Sequence, residues 1–469
     1  MARYHYERLS DEAAAQLTAE SSRQFLHAGA VLIFESGPLA RPDGGVDFEA
    51  IRRAVESRLG ELPAYRRKLR WIPFENHPIW VDDREFNLDY HLRHTSLARP
   101  GSAEQLSKLA ARIQAQRLDR SRPLWECWVV EGLEGGRFAL LTKIHVALAD
   151  AEGDLLGALL RTGGADRAGP AAPYRPRPMP SVAELVRDEV VREARVLRRA
   201  ALRLARLRSP EHLGAELRHR IDRTARALGY SLRRSPDTPL DGPVGPHRRF
   251  EKRVFSVDDA RAVRRELGGT IHDVLLATVA GAVARYLDAN YINPATLDFR
   301  VAVPVTLRGE DGSRVGRWSF ELPIWERDPL RRLERVRELT AEQHAAQPAV
   351  DARGFLEGPW TSFALLNRGA QALTQGAAAR MRVVNVPGPQ QPLYLEGARL
   401  IECFGMVPLG PQAGIGVAVM SYDGRICVGL NADYDRVPDL ARFADALEAS
   451  FRELRLAASR ARRRFAVVG

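Results

Sequence analysis

The sequence predicts a mixed α/β protein built as two domains. Three observations carry this. A chain of 469 residues exceeds what one core serves and suits two domains of roughly 200 residues each. Apolar strand-like runs and helix-period segments are interleaved in the opening residues, and the same style returns in the second half. Between the halves, from Gly163 to Pro180 and again from Pro236 to Pro246, Gly, Ala and Pro accumulate as in an extended linker. The expected boundaries are 1–165 for the first domain, 166–246 for the linker and its helix, and 247–469 for the second domain.

In chain order, Ala30–Phe34 reads as a buried strand. Phe48, Ile51, Val55 and Leu59 then fall at helical spacing, with Asp47 before them and Gly60 after. His91 and His94 sit beside a strand-like stretch, where a structural role is the commoner one. Pro123-Leu-Trp125 leads into Val129-Val130, a glycine turn at Gly135-Gly136, and the run Phe138-Ala-Leu-Leu. That pattern is a hairpin. The run continues as Lys143-Ile-His145-Val146-Ala-Leu-Ala-Asp150-Ala151 and enters a leucine-rich helical segment after Gly153-Asp154. A His and an Asp close together at a strand exit form a candidate site for acyl-transfer chemistry.

Past the linker, Ser181 and Glu184 make a capping box for a long helix. Its apolar stripe is Val182, Leu185, Val186, Val190, Leu197, Ala201 and Leu204, flanked by Arg192, Arg195, Arg198, Arg199 and Arg203. Such a helix suits an anionic membrane surface; equally, it suits a connector packed across two domains with a solvated basic face. In the second half, Ser256 with Asp259, and Thr270 with Asp273, read as helix caps. Arg300–Arg308 reads as a strand, Ser421–Arg425 as a tight hairpin turn, and Asp433–Asp439 as the entry to a last amphipathic helix.

These segments resemble the bacterial wax ester synthase/diacylglycerol acyltransferases, members of the CoA-dependent acyltransferase superfamily marked by His-His-x-x-x-Asp-Gly. Aligned on Asp150, this chain has the first His as His145, but Val146 and Ala151 stand at the second His and the Gly. The blocks Pro123-Leu-Trp125 and Val384-Asn385-Val-Pro387-Gly388-Pro389 are also similar to the family, and the resemblance covers nearly all of the chain outside 165–245. It implies two chloramphenicol-acetyltransferase-like domains forming a pseudo-dimer around a central tunnel. Acyl-CoA would enter as co-substrate, with diacylglycerol or a fatty alcohol as acceptor, and no permanently bound cofactor or metal is needed.

In the family the second His is the general base and the Asp holds the loop through an arginine. The resemblance thus gives Asp150 a structural role, with Arg308 a candidate partner, and leaves the base position to Val146. Trp125 becomes core or tunnel lining, and Asn385 and Gly388 tunnel or loop residues. The family usually has Asn-Asp where this chain has His272-Asp273, so His272 is a candidate substitute base, while capping explains Asp273. Alternation along a strand points His145 away from the face of position 146. The expected function is an O-acyltransferase impaired by the missing base; the alternative is a pseudoenzyme that binds acyl lipids, a membrane surface or an active paralogue.

The net charge is +11 and comes almost wholly from arginine, the only lysines being Lys68, Lys108, Lys143 and Lys252. It is either a compositional habit or an attraction for anionic lipid and CoA phosphates. Nucleic acid is not expected, because no aromatic interleaving or binding motif accompanies the charge. Three scattered cysteines, Cys127, Cys403 and Cys427, suggest neither a disulfide framework nor zinc. With no apolar run near ~20 residues and no signal-peptide pattern, a cytosolic protein is expected, peripheral to the inner membrane or lipid droplets if the basic helix engages them.

Overall fold

A computed structural model describes residues 4–148, 154–163, 169, 171, 173–206, 238–309, 312–346 and 379–468. The first half runs β1 (Glu7–Arg8), α1 (Asp11–Ala19), β2 (His27–Glu35), α2 (Phe48–Leu59), β3 (Arg67–Trp71), β4 (Pro78–Asp82), β5 (Leu92–Ser96), α3 (Ala103–Ala115), β6 (Trp125–Leu133), β7 (Arg137–His145) and α4 (Leu155–Leu159). Local chemistry sets many of these bounds. Asp47 accepts the Ala50 N–H at 3.0 Å and starts α2, while Ser102 and Gln105 close a capping box at α3. The linker helix is α5 (Val182–Arg206), opened by Ser181 and Glu184 as expected.

The second half runs β8 (Arg248–Ser256), α6 (Val257–Leu267), α7 (Ile271–Ala289), β9 (Arg300–Gly309), β10 (Gly312–Glu321), α8 (Pro329–Ala346), β11 (Met381–Val386), β12 (Tyr394–Leu395), β13 (Ala398–Met406), β14 (Ile415–Tyr422), β15 (Arg425–Asp433) and α9 (Leu440–Val468). Asp423 and Gly424 both take positive φ between β14 and β15, the two-residue turn that Asp-Gly favours.

Two six-stranded sheets result, one in the order β12-β13-β2-β7-β6-β5 and the other β10-β9-β11-β14-β15-β8. A strand pair is exchanged between the halves. β13 pairs antiparallel with β2, Cys403 opposite Leu32, so Tyr394–Met406 lie in the first sheet although a cut at 246 assigns them to the second half. Where β13 passes β15, Gly405 and Gly429 meet backbone to backbone, and a Cβ on Gly429 would overlap the Gly405 carbonyl oxygen.

The core follows the same exchange. One face of the first sheet packs Ala30, Leu32, Phe138, Leu140, Ile144 and Trp125 with Ile51 and Val55 of α2, and with Val384, Val386, Ala418 and Met420 of the second sheet. Its other face packs Val31, Ile33 and Leu141 on Leu106, Ala110 and Ile113 of α3, and on Phe250 and Phe404. The second sheet's remaining face is covered by α6, α7, α8 and α9. Among the described residues no single helix is long and apolar enough to cross a membrane; α7, the most apolar, is buried along nearly its whole length.

The linker helix is anchored at its first turns. Leu185 is buried against Ile72, Ile79 and Val81, and Asp188 accepts the Tyr4 hydroxyl at 2.7 Å. Arg192, expected on a lipid-facing surface, is instead held by Glu75 at 3.1 Å, Glu189 at 2.7 Å and Glu193 at 2.6 Å. Two of these are helix neighbours and the third comes from the loop before β4, so its charge is neutralised within the protein. Arg195 and Arg198 are exposed, as are the apolar Val190 and Leu197. The side chains of Arg199 and Arg203 lie outside the described residues.

Candidate active site

The site is built on β7. Alternation puts Thr142 and Ile144 on one face, where they line a small cavity with Tyr65, Trp125 and Asp154, and puts Lys143 and His145 on the other. Val146 opens a buried single turn, Val146–Leu148, and its N–H donates to the Leu26 carbonyl at 2.9 Å. It is fully buried in the same apolar cluster as Ile144, Trp125 and Leu155. The side chain standing where the base is expected is therefore a core residue. Asp150 and Ala151 lie outside the described residues, as does the side chain of Arg308.

His145 faces away from Val146, as strand alternation requires. Its Nδ1 accepts the Ala147 N–H at 3.0 Å. Its Nε2 is 3.1 Å from Glu20 Oε1, but out of line for a hydrogen bond. His27 stands edge-on to it, 6.1 Å between ring centroids. Glu20 also accepts the Leu26 N–H at 2.7 Å and Arg120 at 2.8 Å. Burial pushes the Glu20 carboxyl up, but His145, His27 and the Leu26 N–H together outweigh it and hold the group well below the usual carboxylate range. Both ring nitrogens of His145 are thus turned to protein groups, Nδ1 to the Ala147 N–H and Nε2 to Glu20.

His272 lies in the first turn of α7. Its Nδ1 is 3.1 Å from the Asn385 amide nitrogen, and its Nε2 is shielded with no partner among the described residues. Burial lowers its pKa. Along β11, Val384 and Val386 join the cluster that holds Val146, whereas Val383 joins the helix-covered side; Asn385, two residues on, shares the face of Val383. His272 and Val146 therefore lie on opposite faces of the second sheet.

The other candidate residues have structural explanations. Asp273 accepts the Thr270 N–H at 2.7 Å and the Thr340 hydroxyl at 2.7 Å, which completes the cap of α7. The Gly388 N–H donates to the Ser421 hydroxyl at 3.0 Å. Trp125 donates to the Tyr65 carbonyl at 2.8 Å, stacks on His91 and also lines the small cavity. His91 meets the Trp125 carbonyl through Nδ1 at 2.8 Å, and His94 stacks on Phe48 beside Glu131.

One group escaped the sequence-level reading. Asp154 is 9% exposed and caps the short helix α4 by accepting the Gly157 N–H at 3.1 Å. Burial pushes its carboxyl up to about 7, against the pull of the Gly157 and Leu156 N–H groups. No local signal marked it: an aspartate before a leucine pair reads as an ordinary helix cap, and the residues that bury it, Tyr65, Trp125 and Ile144, come from elsewhere in the chain. The cavity it lines has ≈ 20 Å³ of free room, enough for about one water-sized group.

A raised carboxyl pKa favours the protonated folded state. The stability it contributes is full below the ordinary value of 3.8 and is lost as pH rises through about 7. Asp154→Asn, neutral throughout, is expected to gain about 2 kcal/mol on the natural chain between pH 5 and pH 7. Urea unfolding at both pH values measures this.

A second cavity, ≈ 900 Å³, separates α3 from β8 and the residues entering α9, with Lys108, Arg112, His247, Arg249 and Glu251 on its walls. It lies on the side of the first sheet that α3 covers, away from Val146.

Comparison with known proteins agrees across the chain. Residues 9–275 match the family model of the wax ester synthase/diacylglycerol acyltransferase catalytic domain, and residues 312–455 match that of the family's C-terminal domain. A protein of Mycobacterium tuberculosis strain H37Rv, provisionally named a diacylglycerol O-acyltransferase, is 33% identical over 97% of this chain and 98% of its own. The Mycobacterium tuberculosis protein named tgs1, also provisionally a diacylglycerol O-acyltransferase, is 29% identical over 88% of this chain and 89% of its own. In fold, the chain is similar to the wax ester synthase/diacylglycerol acyltransferase of Marinobacter aquaeolei VT8, with a TM-score of 0.65 at 23% identity over 96% of this chain and 100% of that one. The first condensation domain of the calcium-dependent antibiotic synthetase shares the two-domain fold at a TM-score of 0.54 and 16% identity, over 97% of each chain. The mixed α/β architecture and the matches across both halves lead to one assignment: the chain belongs to the wax ester synthase/diacylglycerol acyltransferase family.

Proposed function

We propose that the chain transfers an acyl group from acyl-CoA to diacylglycerol or a long-chain alcohol, making triacylglycerol or wax ester, at a rate reduced by the valine at position 146. The single observation that carries this reading is family membership over both halves, with His145 in place at the end of β7 and a valine following it. The thioester carbonyl is the electrophile and the acceptor hydroxyl the nucleophile, so the chemistry asks the protein to position the two and take one proton. Labelled acyl-CoA offered with diacylglycerol and with a fatty alcohol tests it directly. Ester from either acceptor above the protein-free rate supports the reading; none, with acyl-CoA bound, refutes it.

A second reading, a non-catalytic member that binds acyl lipid, a membrane surface or an active paralogue, draws on the complete burial of Val146. Its membrane form draws on α5, whose Val190 and Leu197 are 64% and 67% exposed beside Arg195 and Arg198. Flotation with anionic vesicles is expected to show binding that weakens with salt, as surface charge is screened. Replacing Arg195, Arg198, Arg199 and Arg203 by Ala should abolish it, and unchanged binding would remove the helix from consideration. The peripheral location on the inner membrane or lipid droplets rests on that same result.

A further inference from the structure

We infer that the ≈ 900 Å³ cavity between α3, β8 and the entry to α9 binds the phosphate-bearing end of a nucleotide, with Arg112 and Arg249 on the phosphate and Tyr434 against the base. The inference goes beyond the acyl-transfer reading and does not depend on it. The cavity lies on the α3 side of the first sheet, whereas Val146 packs in the cluster on the other side.

The charge on its walls is not balanced from within. Each carboxylate there is answered: Glu104 by Lys108 at 2.7 Å, Glu251 by Arg253 at 3.6 Å, and Asp439 by the Tyr286 hydroxyl at 2.6 Å. Arg248 is buried, and its Nη1 donates to the Gly245 and His247 carbonyls at 2.6 and 2.9 Å. Arg112 and Arg249 remain, and neither has a carboxylate partner among the described residues. One belongs to α3 and the other to β8, so the two guanidiniums border the cavity from different walls. Planar forks of this kind match the oxygens of a phosphate or diphosphate.

Beside Arg249 stands a preformed aromatic platform. Tyr434 is 45% exposed, and the Arg249 guanidinium lies over its ring, 3.8 Å from the centroid. His247 is edge-on to the same ring at 6.3 Å. Backbone bonds fix the three together: the Tyr434 N–H donates to the His247 carbonyl at 3.2 Å, and Arg249 Nε to the Tyr434 carbonyl at 3.0 Å. A rigid ring left nearly half open is what a flat heterocycle stacks on. The volume is that of a small-molecule site. A phospholipid headgroup would use the arginines and leave the ring idle; a nucleotide uses both.

Calorimetric titration of the full chain with ADP, CoA, adenosine and inorganic phosphate tests this. ADP or CoA is expected to bind, with adenosine and phosphate weaker by about 10-fold or more, since each makes only half of the contacts. Arg112→Ala and Arg249→Ala should each weaken binding about 10-fold, and Tyr434→Ala by a similar factor. Arg112 is exposed, so its replacement leaves the fold intact. Arg195→Ala removes the same charge from α5 and should change nothing, which separates a local contact from the general field of the protein. Loss of CoA affinity in Arg112→Ala assigns the cavity to the nucleotide end of CoA; loss for ADP alone assigns it to a free nucleotide. Unchanged affinity for both in Arg112→Ala and Arg249→Ala, or no binding of either at about 1 mM, overturns the site. Phosphate that binds as tightly as ADP, with Tyr434→Ala without effect, overturns the nucleotide.

Discussion

Val146→His is expected to raise acyl transfer about 10²-fold above the natural chain, the usual worth of a positioned general base. The substitution puts an imidazole in the buried turn that follows β7, in the same apolar cluster as Ile144, Trp125 and Leu155, where an isopropyl group now packs. The backbone there is already fixed, since the Val146 N–H is tied to Leu26. The ring is larger than the space it enters, so about 1–3 kcal/mol of stability should be lost to overpacking; a melting curve is measured alongside the rate. A folded Val146→His that binds acyl-CoA and shows no gain would mean that position 146 does not face the reacting atoms.

The largest stability effect is expected at Lys143. Its ammonium is fully buried and donates to the carbonyls of Ile113 and Gln116, both at 3.0 Å, with Glu126 at 3.2 Å. Burial lowers its pKa and the Glu126 carboxylate opposes that shift. Lys143→Met keeps the stem and removes the charge, leaving two carbonyls at the end of α3 and a largely buried carboxylate short of a donor. The expected loss is about 3–5 kcal/mol, read by urea unfolding. Adding Glu126→Gln should recover part of it, because the stranded charge is then gone. A single variant within 1 kcal/mol of the natural chain would show that water or Arg93, 3.6 Å from Glu126, takes over.

Features read correctly from the sequence were local ones. The caps at Asp47, Ser181 and Thr270 depend on residues three or four apart, and the Asp423-Gly424 turn on two adjacent residues. The outward turn of His145 followed from alternation alone. Ser256 was a partial success: it caps α6, while Asp259 pairs with Arg455 of α9 instead. Long-range contacts were not legible. Glu20, which faces His145, and Glu75, which neutralises Arg192, reach their partners from distant positions in the chain. Asp154 looked like one more acidic residue in a polar turn, because its burial is decided by Tyr65, Trp125 and Ile144 arriving from three other elements. The exchange of β13 into the first sheet is equally invisible, since its apolar pattern fits either sheet.

That exchange also imposes an order on the birth of the molecule. Strand β2 has apolar residues buried on both faces and hydrogen-bonds on one side to β7, which is made early, and on the other to β13, which is made late. At synthesis rates of about 5–20 residues per second, roughly 13 to 50 seconds separate the two partners' emergence from the ribosome. Throughout that interval the nascent first half carries an open, apolar strand edge, the kind of surface that recruits chaperones or stray strands. A polypeptide stopped at 246 should therefore accumulate as aggregate, and supplying 247–469 as a separate chain during synthesis should bring part of it back into solution.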